Sequence, residues 1–385
     1  MSIKNDQSLQ YGDFGIIASQ GPVSRTFADA KDLGVKELPA IGETVWIRGR
    51  VSSVRAKGNA CFLVIRSGSF YTLQACHFKD KESPEQSKAL IKYVSSIPLE
   101  SIVDIQGVVA SADVKSCSQK NVELQIKKIF TVSRAPVTLP FLLDDAARSE
   151  QDIQDSQNSE RPLAGVAQDV RLNNRWLDLR VPANNAIMRI RSGISLLFRE
   201  ALTAKGFVEI NTPKLIAGES EGGSEVFRTD YFGKPACLAQ SPQLYKQMAI
   251  SADLEKVFEI GPVFRAEKSL TRRHLCEFTG LDIEMAIKFH YNEVLEVVHY
   301  MFRHIFEGLE SRYAEELAVI REQYPSEPVQ FTEKPLIIHW AEGMQMLRQA
   351  GHQVDDRADL SGALELALGK LVKEKYHADF YALDE

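Results

Sequence analysis

The chain has 385 residues, 44% of them hydrophobic and 25% charged, with a net charge of −6 and five cysteines. That length allows more than one core and predicts two or three domains, and no apolar run approaches a bilayer span, so a membrane role finds no support. The cysteines (Cys61, Cys76, Cys117, Cys237, Cys276) are scattered without a CxxC pair, which argues against a disulfide framework or zinc site and for small packing residues. The acidic balance speaks against a surface coated for unspecific nucleic-acid binding but leaves room for a local basic face. The start, MSIKNDQSLQYGD, has neither a secretory apolar region nor an Arg-rich transit character, and a cytoplasmic protein is expected.

Residues 1–40 read as an irregular N-terminal segment with at most one helical turn before Pro39. From Thr44 the runs TVWIRGRVSSV, ACFLVIRSGSFYTLQACHF, SIVDIQGVVASADV and VELQIKKIFTVSRA are β-rich and separated by polar residues. Residues 41–136 are therefore predicted to form a small barrel, with Gly49 and Gly107 at sharp bends; a five-stranded OB-type barrel fits, and an SH3-like one stays open. Residues 137–168 are acidic and poor in large apolar side chains, which predicts a linker or hinge. Beyond it, 169–385 reads as an α+β domain: a helix over 184–205 stopped by Gly206, strand FVEI, Thr212-Pro213, strands near ACLAQ, KVFEIGPVFRAE and CEFTGLDIEMAI, then a long helix over 291–324. No GxGxxG or GxxxxGK[ST] occurs, so any nucleotide must bind in another way.

The stretch GPVFRAEKSLTRRHLCEFTGLDIEMA carries most of the chemistry. It sets Arg265 and Glu267 two residues apart on a strand face, then a charged loop, then a return strand with Phe278, Asp282 and Glu284. An arginine on a sheet face suits a phosphate, because a planar guanidinium matches its oxygens. The plain alternatives are a solvated ion pair for Arg265 and Glu267 and a core position for Phe278.

This stretch resembles motif 2 of the class II aminoacyl-tRNA synthetases, and GFVEINTPKLI resembles their motif 1, in which a proline, here Pro213, lies at a homodimer interface. The resemblance implies that Arg265 is the catalytic residue, holding the α-phosphate and the amino acid carboxylate. Glu267 would meet the adenine edge, Phe278 would stack on adenine, and Arg273, His274 and Leu275 would complete the ATP site. The segment AGESEGGSEVFRTDYFGKPACLAQSPQLYKQM is similar to the aspartate pocket of the aspartyl members. There Glu221, beside Gly222 and Gly223, would close over the α-ammonium, Ser241 and Gln243 would bond the substrate, and Lys246 would pair the β-carboxylate. Lys246 alone could equally be a solvated helix lysine.

In the barrel, RGRVSSVRAKGNACFLVIR resembles the anticodon-binding domain of the same family. Phe62 would stack on a base, Gln74 and Glu123 would read base edges, and Arg48, Arg50 and Lys57 would hold phosphates. In isolation Phe62 reads as core. The activity implied is ATP-dependent activation of L-aspartate followed by transfer to tRNA(Asp) in the cytoplasm, with Mg²⁺, as a homodimer with no membrane partner; a multi-synthetase complex is a further candidate partner. The family's motif 3 is not found up to Glu385, so the chain is expected to be C-terminally incomplete and impaired. The alternatives are a synthetase that also charges tRNA(Asn) and a noncatalytic tRNA-binding, dimerising protein.

Overall fold

The computed structural model describes residues 10–13, 25–33, 40–68, 70–218, 226–268, 271, 274–355 and 359–384. Contacts divide the chain into two compact units, Met1–Asn185 and Ala186–Glu385.

In the first unit, strand β1 (Tyr11–Asp13) is followed by β2 (Thr44–Lys57), β3 (Ala60–Ser67), β4 (Tyr71–Phe78), helix α1 (Pro84–Ser95), β5 (Ile102–Ser111) and β6 (Val122–Ser133). Strands pair in the order β1-β6-β4-β3-β2-β5, and a further β5–β6 pairing closes β2 to β6 into a five-stranded barrel. The OB-type reading therefore holds over the SH3-like one. Most pairs are antiparallel, while β4 runs parallel to β6. Inward residues alternate along each strand: Cys61, Leu63 and Ile65 on β3 are buried with Ile47, Leu73, Val103, Ile105 and Leu124. Both strand glycines mark close backbone approach, since a Cβ on Gly49 would lie 2.7 Å from Arg66 O and one on Gly107 2.6 Å from Gln125 O.

Helix α1 was not anticipated. It fills the barrel end with Leu90, Ile91 and Val94. Pro84 in its first turn, Glu85 after it and the apolar spacing 90, 91, 94 were the available signals.

After the barrel come α2 (Leu143–Ala146), α3 (Glu150–Asp155), α4 (Gln168–Asn173) and α5 (Arg175–Asp178). The stretch 137–168, expected as a linker or hinge, carries short helices. In α3 the Ser149 hydroxyl accepts from Asp152 N–H and the Asp152 carboxylate accepts from Ser149 N–H, a capping box. Phe141 and Ala146 join Leu177 and Val181 in a small core. These apolar residues are too sparse to show a period, but they are enough to anchor short helices.

Helix α6 (Pro182–Ala204) carries the division between the units. Then follow β7 (Val208–Glu209), β8 (Leu215–Ile216), β9 (Arg228–Tyr231), β10 (Lys234–Leu238), α7 (Gln243–Ala249), β11 (Lys256–Phe264), β12 (Glu277–Met285), α8 (Asn292–Arg312) and α9 (Ala314–Gln323). A mixed sheet is built on β11, antiparallel to β12 and parallel to β7. The core of this unit joins Leu197, Phe198 and Leu202 of α6 to Phe258 of β11 and to Val297, Met301 and Ile305 of α8. The single long helix expected over 291–324 breaks at Tyr313, which leaves helical geometry. Its ring occupies the space above Gly193, where a Cβ would come within 2.6 Å of it. A last subassembly of β13 (Ile337–His339), α10 (Trp340–Gln349), α11 (Gly362–Tyr376) and β14 (Ala382–Asp384) packs around Ile338, Met344, Leu347 and Leu368.

Candidate active site and RNA-binding face

The ribbon of β11 and β12 runs in register from Lys256 opposite Met285 to Phe264 opposite Glu277. Directly opposed residues share a face and the faces alternate. Phe258, Ile260, Ile283 and Met285 face the core, which leaves Glu259, Gly261, Phe278, Gly280, Asp282 and Glu284 on the other side. Gly261 and Gly280 are directly opposed. A Cβ on Gly280 would lie 2.6 Å from Asp282 Oδ2, and one on Gly261 3.1 Å from Glu259 Oε1. The middle of this face must stay bare, and the result is a flat floor between two polar ends.

At one end stands Lys246. Ser241, itself buried, accepts a hydrogen bond from Gln243 N–H at 3.0 Å and so starts α7. That helix packs on both strands and inserts the Lys246 side chain, which is 5% exposed. Its Nζ donates to Ile283 O at 3.2 Å and lies 3.4 Å from Asp282 Oδ1 and 3.6 Å from Glu284 Oε2. Gln243 Nε2 donates to Glu284 at 3.1 Å. A buried ammonium is tolerable only with such partners, so Lys246 is not a solvated helix lysine. It is also not a cation held without a partner for an incoming carboxylate: an incoming group must displace a carboxylate already there. Asp282 and Glu284, given no role in the sequence reading, together outnumber the lysine charge.

Glu259 is committed elsewhere. It accepts from Thr212 N–H at 2.8 Å and from the Thr212 hydroxyl at 2.7 Å, and Lys214 pairs with it at 3.1 Å. This buried carboxylate clamps the turn that carries exposed Pro213 to the centre of β11.

At the other end, β11 stops at Phe264, so Arg265 and Glu267 lie just past the strand rather than on its face. Pairing continues for one more bond, from Arg265 N–H to Cys276 O at 3.0 Å. The Arg265 guanidinium donates through Nε to Gln240 O at 3.4 Å, and its carbon sits 5.6 Å from the centre of the half-buried Phe278 ring. Cation and ring thus border one space. Glu267 is half-buried beyond them, and His274 and Leu275 are exposed, with His274 Nδ1 2.6 Å from Thr271 Oγ1. Glu221, Gly222, Gly223, Arg272 and Arg273 lie outside the described residues.

On the barrel, Phe62 points outward from β3, with its ring edge-on to Phe78 at 5.6 Å. Gln74 Nε2 donates to Glu123 at 2.8 Å. Phe62 and Gln74 line a cavity of about 250 Å³ with Ser53, Arg55, Val64 and Ser116. Phe62 and Gln74 therefore border one base-sized hollow, and Glu123 reaches it through its bond from Gln74. Arg55, opposite Phe62 across β2 and β3, was missed; alternation of β2 with β3 was the signal. Lys57 is exposed at the hairpin tip.

Arg48 and Arg50 are elsewhere. Arg48 grips Asp104 through two bonds of 2.6 and 2.9 Å, and Asp104, fully buried, also holds Arg25. That carboxylate pushes the Arg48 pKa up and leaves this guanidinium a structural ion pair. Arg50 donates to Glu100 O at 3.1 Å in a separate cavity. Strand register sets Arg50 opposite Arg66, at the other end of the β2–β3 pair from Phe62.

The family described as tRNA synthetases class II (D, K and N) matches residues 167–382, and the OB-fold nucleic acid binding domain matches residues 45–132. The chain belongs to these class II tRNA synthetases, enzymes that use ATP, an amino acid and tRNA. It is 46% identical to a protein named cytoplasmic aspartate-tRNA ligase of Caenorhabditis elegans, over 97% of this chain and 70% of that protein. The protein of the same name from Homo sapiens is 47% identical over 98% of this chain and 73% of its own length. The solved aspartyl tRNA synthetase from Entamoeba histolytica superposes with a TM-score of 0.86 at 40% identity, over 97% of this chain and 74% of that one. No helix among the described residues is long and apolar enough to cross a membrane.

Proposed function

We propose that the protein is an aspartate-tRNA ligase acting on tRNA(Asp) in the cytoplasm. The observation that carries this reading is Lys246, a buried ammonium at the closed end of the bare floor, flanked by Asp282 and Glu284. Free aspartate brings one ammonium and two carboxylates. Its β-carboxylate takes the place of Asp282 beside Lys246, and its α-ammonium takes the carboxylate so released, with Glu221 as a second partner. Every charge keeps a partner through the exchange. Asparagine offers only a neutral amide to the lysine, and a site built for a charged group rejects an analogue without it by on the order of 10⁴.

The aspartate α-carboxylate then attacks the α-phosphorus of ATP; a new O–P bond forms and the bond to pyrophosphate breaks. Arg265 neutralises the charge that gathers on the α-phosphoryl oxygens, and Phe278 beside it carries the adenine, whose edge meets Glu267. Arg273, His274 and Leu275 border the outer phosphates. No side chain need take a proton in this step; catalysis comes from alignment and charge. In the second step a terminal ribose hydroxyl of tRNA attacks the aspartyl carbonyl, AMP leaves, and the hydroxyl proton departs with the phosphate or to water. Mg²⁺ would travel on the phosphate oxygens of ATP. Among the described residues no group of three or more His, Cys, Asp or Glu converges to hold a metal by itself, and no step above depends on one.

Phe62 stacks an anticodon base while Gln74 and Glu123 read edges. A homodimer through the Pro213 region is supported by exposed Ile187, Met188 and Leu196 on α6 and Val208 on β7, each more than 40% exposed. Amino-acid-dependent exchange of pyrophosphate into ATP tests the substrate. Aspartate should drive it at least about 100-fold better than asparagine or lysine, and even a slow exchange reports that preference. Equal exchange with asparagine or lysine would refute the reading.

A further inference from the structure

Three arginines of the barrel unit converge on one glutamate, Glu100. Arg66 Nη2 lies 2.7 Å and Arg180 Nη1 3.0 Å from Glu100 Oε2, while Arg50 reaches only the Glu100 carbonyl, at 3.1 Å. Glu100 is buried at 4% exposure and holds a positive φ of 67°. Three guanidiniums therefore meet a residue with a single carboxylate, which two of them share, and two positive charges remain in excess. Arg50 is pressed below the ordinary arginine pKa, first by burial and then by Arg180. The neighbouring Arg48 adds nothing to this surplus, because Asp104 neutralises it.

A fold that only needed a staple would match its charges, since a half-buried cation without a carboxylate is costly. Here the surplus opens onto a cavity of about 310 Å³ lined by Arg50, Arg66, Gly68, Ile102 and Arg180, far more than a water needs. Guanidinium groups in this number match phosphate oxygens.

We infer that this cavity binds a backbone phosphate of RNA, as a second contact for the tRNA whose anticodon meets Phe62. Two observations favour RNA over a free anion. Phe62, Val64 and Arg66 stand on the same outward face of β3, so a strand laid on Phe62 and continued along β3 arrives at the arginines; four residues at about 3.3 Å each span roughly 13 Å. The Arg180 guanidinium also lies 5.1 Å from the ring of Trp176, which is 51% exposed, and an exposed aromatic beside a phosphate site is the pairing that a nucleotide uses. The inference rests on the tRNA-ligase reading given above.

The test uses the full chain, tRNA(Asp) and two variants of opposite sign, each first shown to unfold cooperatively. Arg50→Gln removes the arginine that has no carboxylate, and Glu100→Gln removes the one charge that offsets the cluster. Arg50→Gln should raise the tRNA Kd about 5- to 10-fold near 0.1 M salt and lower the slope of log K against log salt by about 1. Glu100→Gln should lower the Kd, a direction that a merely structural carboxylate would not give. Unchanged Kd and slope in both variants would overturn the inference. Inorganic phosphate titrated into the two proteins without tRNA separates the sources: if it binds the wild type and not Arg50→Gln while the tRNA Kd is the same for both, a free anion is the occupant and the RNA assignment falls. Aspartate-dependent pyrophosphate exchange by the wild type, measured without tRNA, separates these results from a failure of the ligase reading itself.

Discussion

The β11–β12 ribbon and the outer face of β3 are both two-stranded surfaces carrying charges and one aromatic, yet they solve different problems. On the ribbon the decisive charge is buried: Lys246 is enclosed by Asp282, Glu284 and a carbonyl, and a bare glycine pair keeps the floor flat. On the barrel Phe62, Gln74 and Arg55 stand on an outward hollow and need only the alternation of the strands to be presented. The first site works by exchanging ion pairs in a confined space, where electrostatic terms are large. The second works by stacking and salt-dependent contacts, where each is modest.

If that contrast is right, substitutions on the ribbon cost far more than those on the barrel. The largest effect belongs to Lys246→Met, which should lower kcat/KM for aspartate in pyrophosphate exchange by about 10³-fold or more; a loss below about tenfold would mean that the lysine only fills space. Phe62→Ala should weaken tRNA binding by about 1–3 kcal/mol, the worth of one stacked base. Aspartate activation without tRNA should not change, and a matching drop there would erase the separation between the two surfaces.

A smaller effect tests which arginines are structural. Arg48→Ala should leave tRNA affinity within about twofold while lowering stability by about 1–2 kcal/mol, because Arg25 still pairs Asp104. A chemical denaturation curve and a tRNA titration together decide it.

The smallest effect is on labelling. Cys61, Cys76, Cys117 and Cys237 are buried and Cys276 is exposed. Burial pushes the Cys61 thiol up to about 11, and burial with the Glu123 carboxylate pushes Cys76 higher still. A raised pKa keeps the thiol protonated and unreactive until pH approaches that value. Iodoacetamide near neutral pH should therefore modify Cys276 alone, and ATP with aspartate should slow it a few-fold. Mass spectrometry of the modified peptides reads the result, and rapid labelling of Cys61 would contradict the barrel packing.

Much of this arrangement was legible in the sequence, and the exceptions have physical causes. Period-two alternation marked the barrel strands, but it left Phe62 reading as core until the barrel turned it outward, and it cannot say which outward arginine is already spent. Arg48, Arg50 and Arg55 look alike on β2, and only the fold brings Asp104 to the first, Glu100 to the second and Phe62 to the third. Lys246, Asp282 and Glu284 were all visible as residues, yet their meeting depends on α7 lying across the ribbon, a contact between segments 36 positions apart. Phe141 and Val166 fall in the stretch read as an acidic linker, and their partners Leu177 and Val181 lie beyond it. Glu221 and Arg273 fall outside the described residues, so their assigned roles still rest on motif resemblance.

The central claim is that Lys246 selects a carboxylate side chain, and binding of stable adenylate analogues tests it most directly. Calorimetric titration of aspartyl- and asparaginyl-sulfamoyl adenosine into the wild type and Lys246→Met isolates recognition from turnover. The account predicts that the wild type binds the aspartyl analogue at least about 100-fold more tightly and that the variant loses this preference. Equal affinity of the wild type for both analogues, or a preference that survives in Lys246→Met, would contradict it.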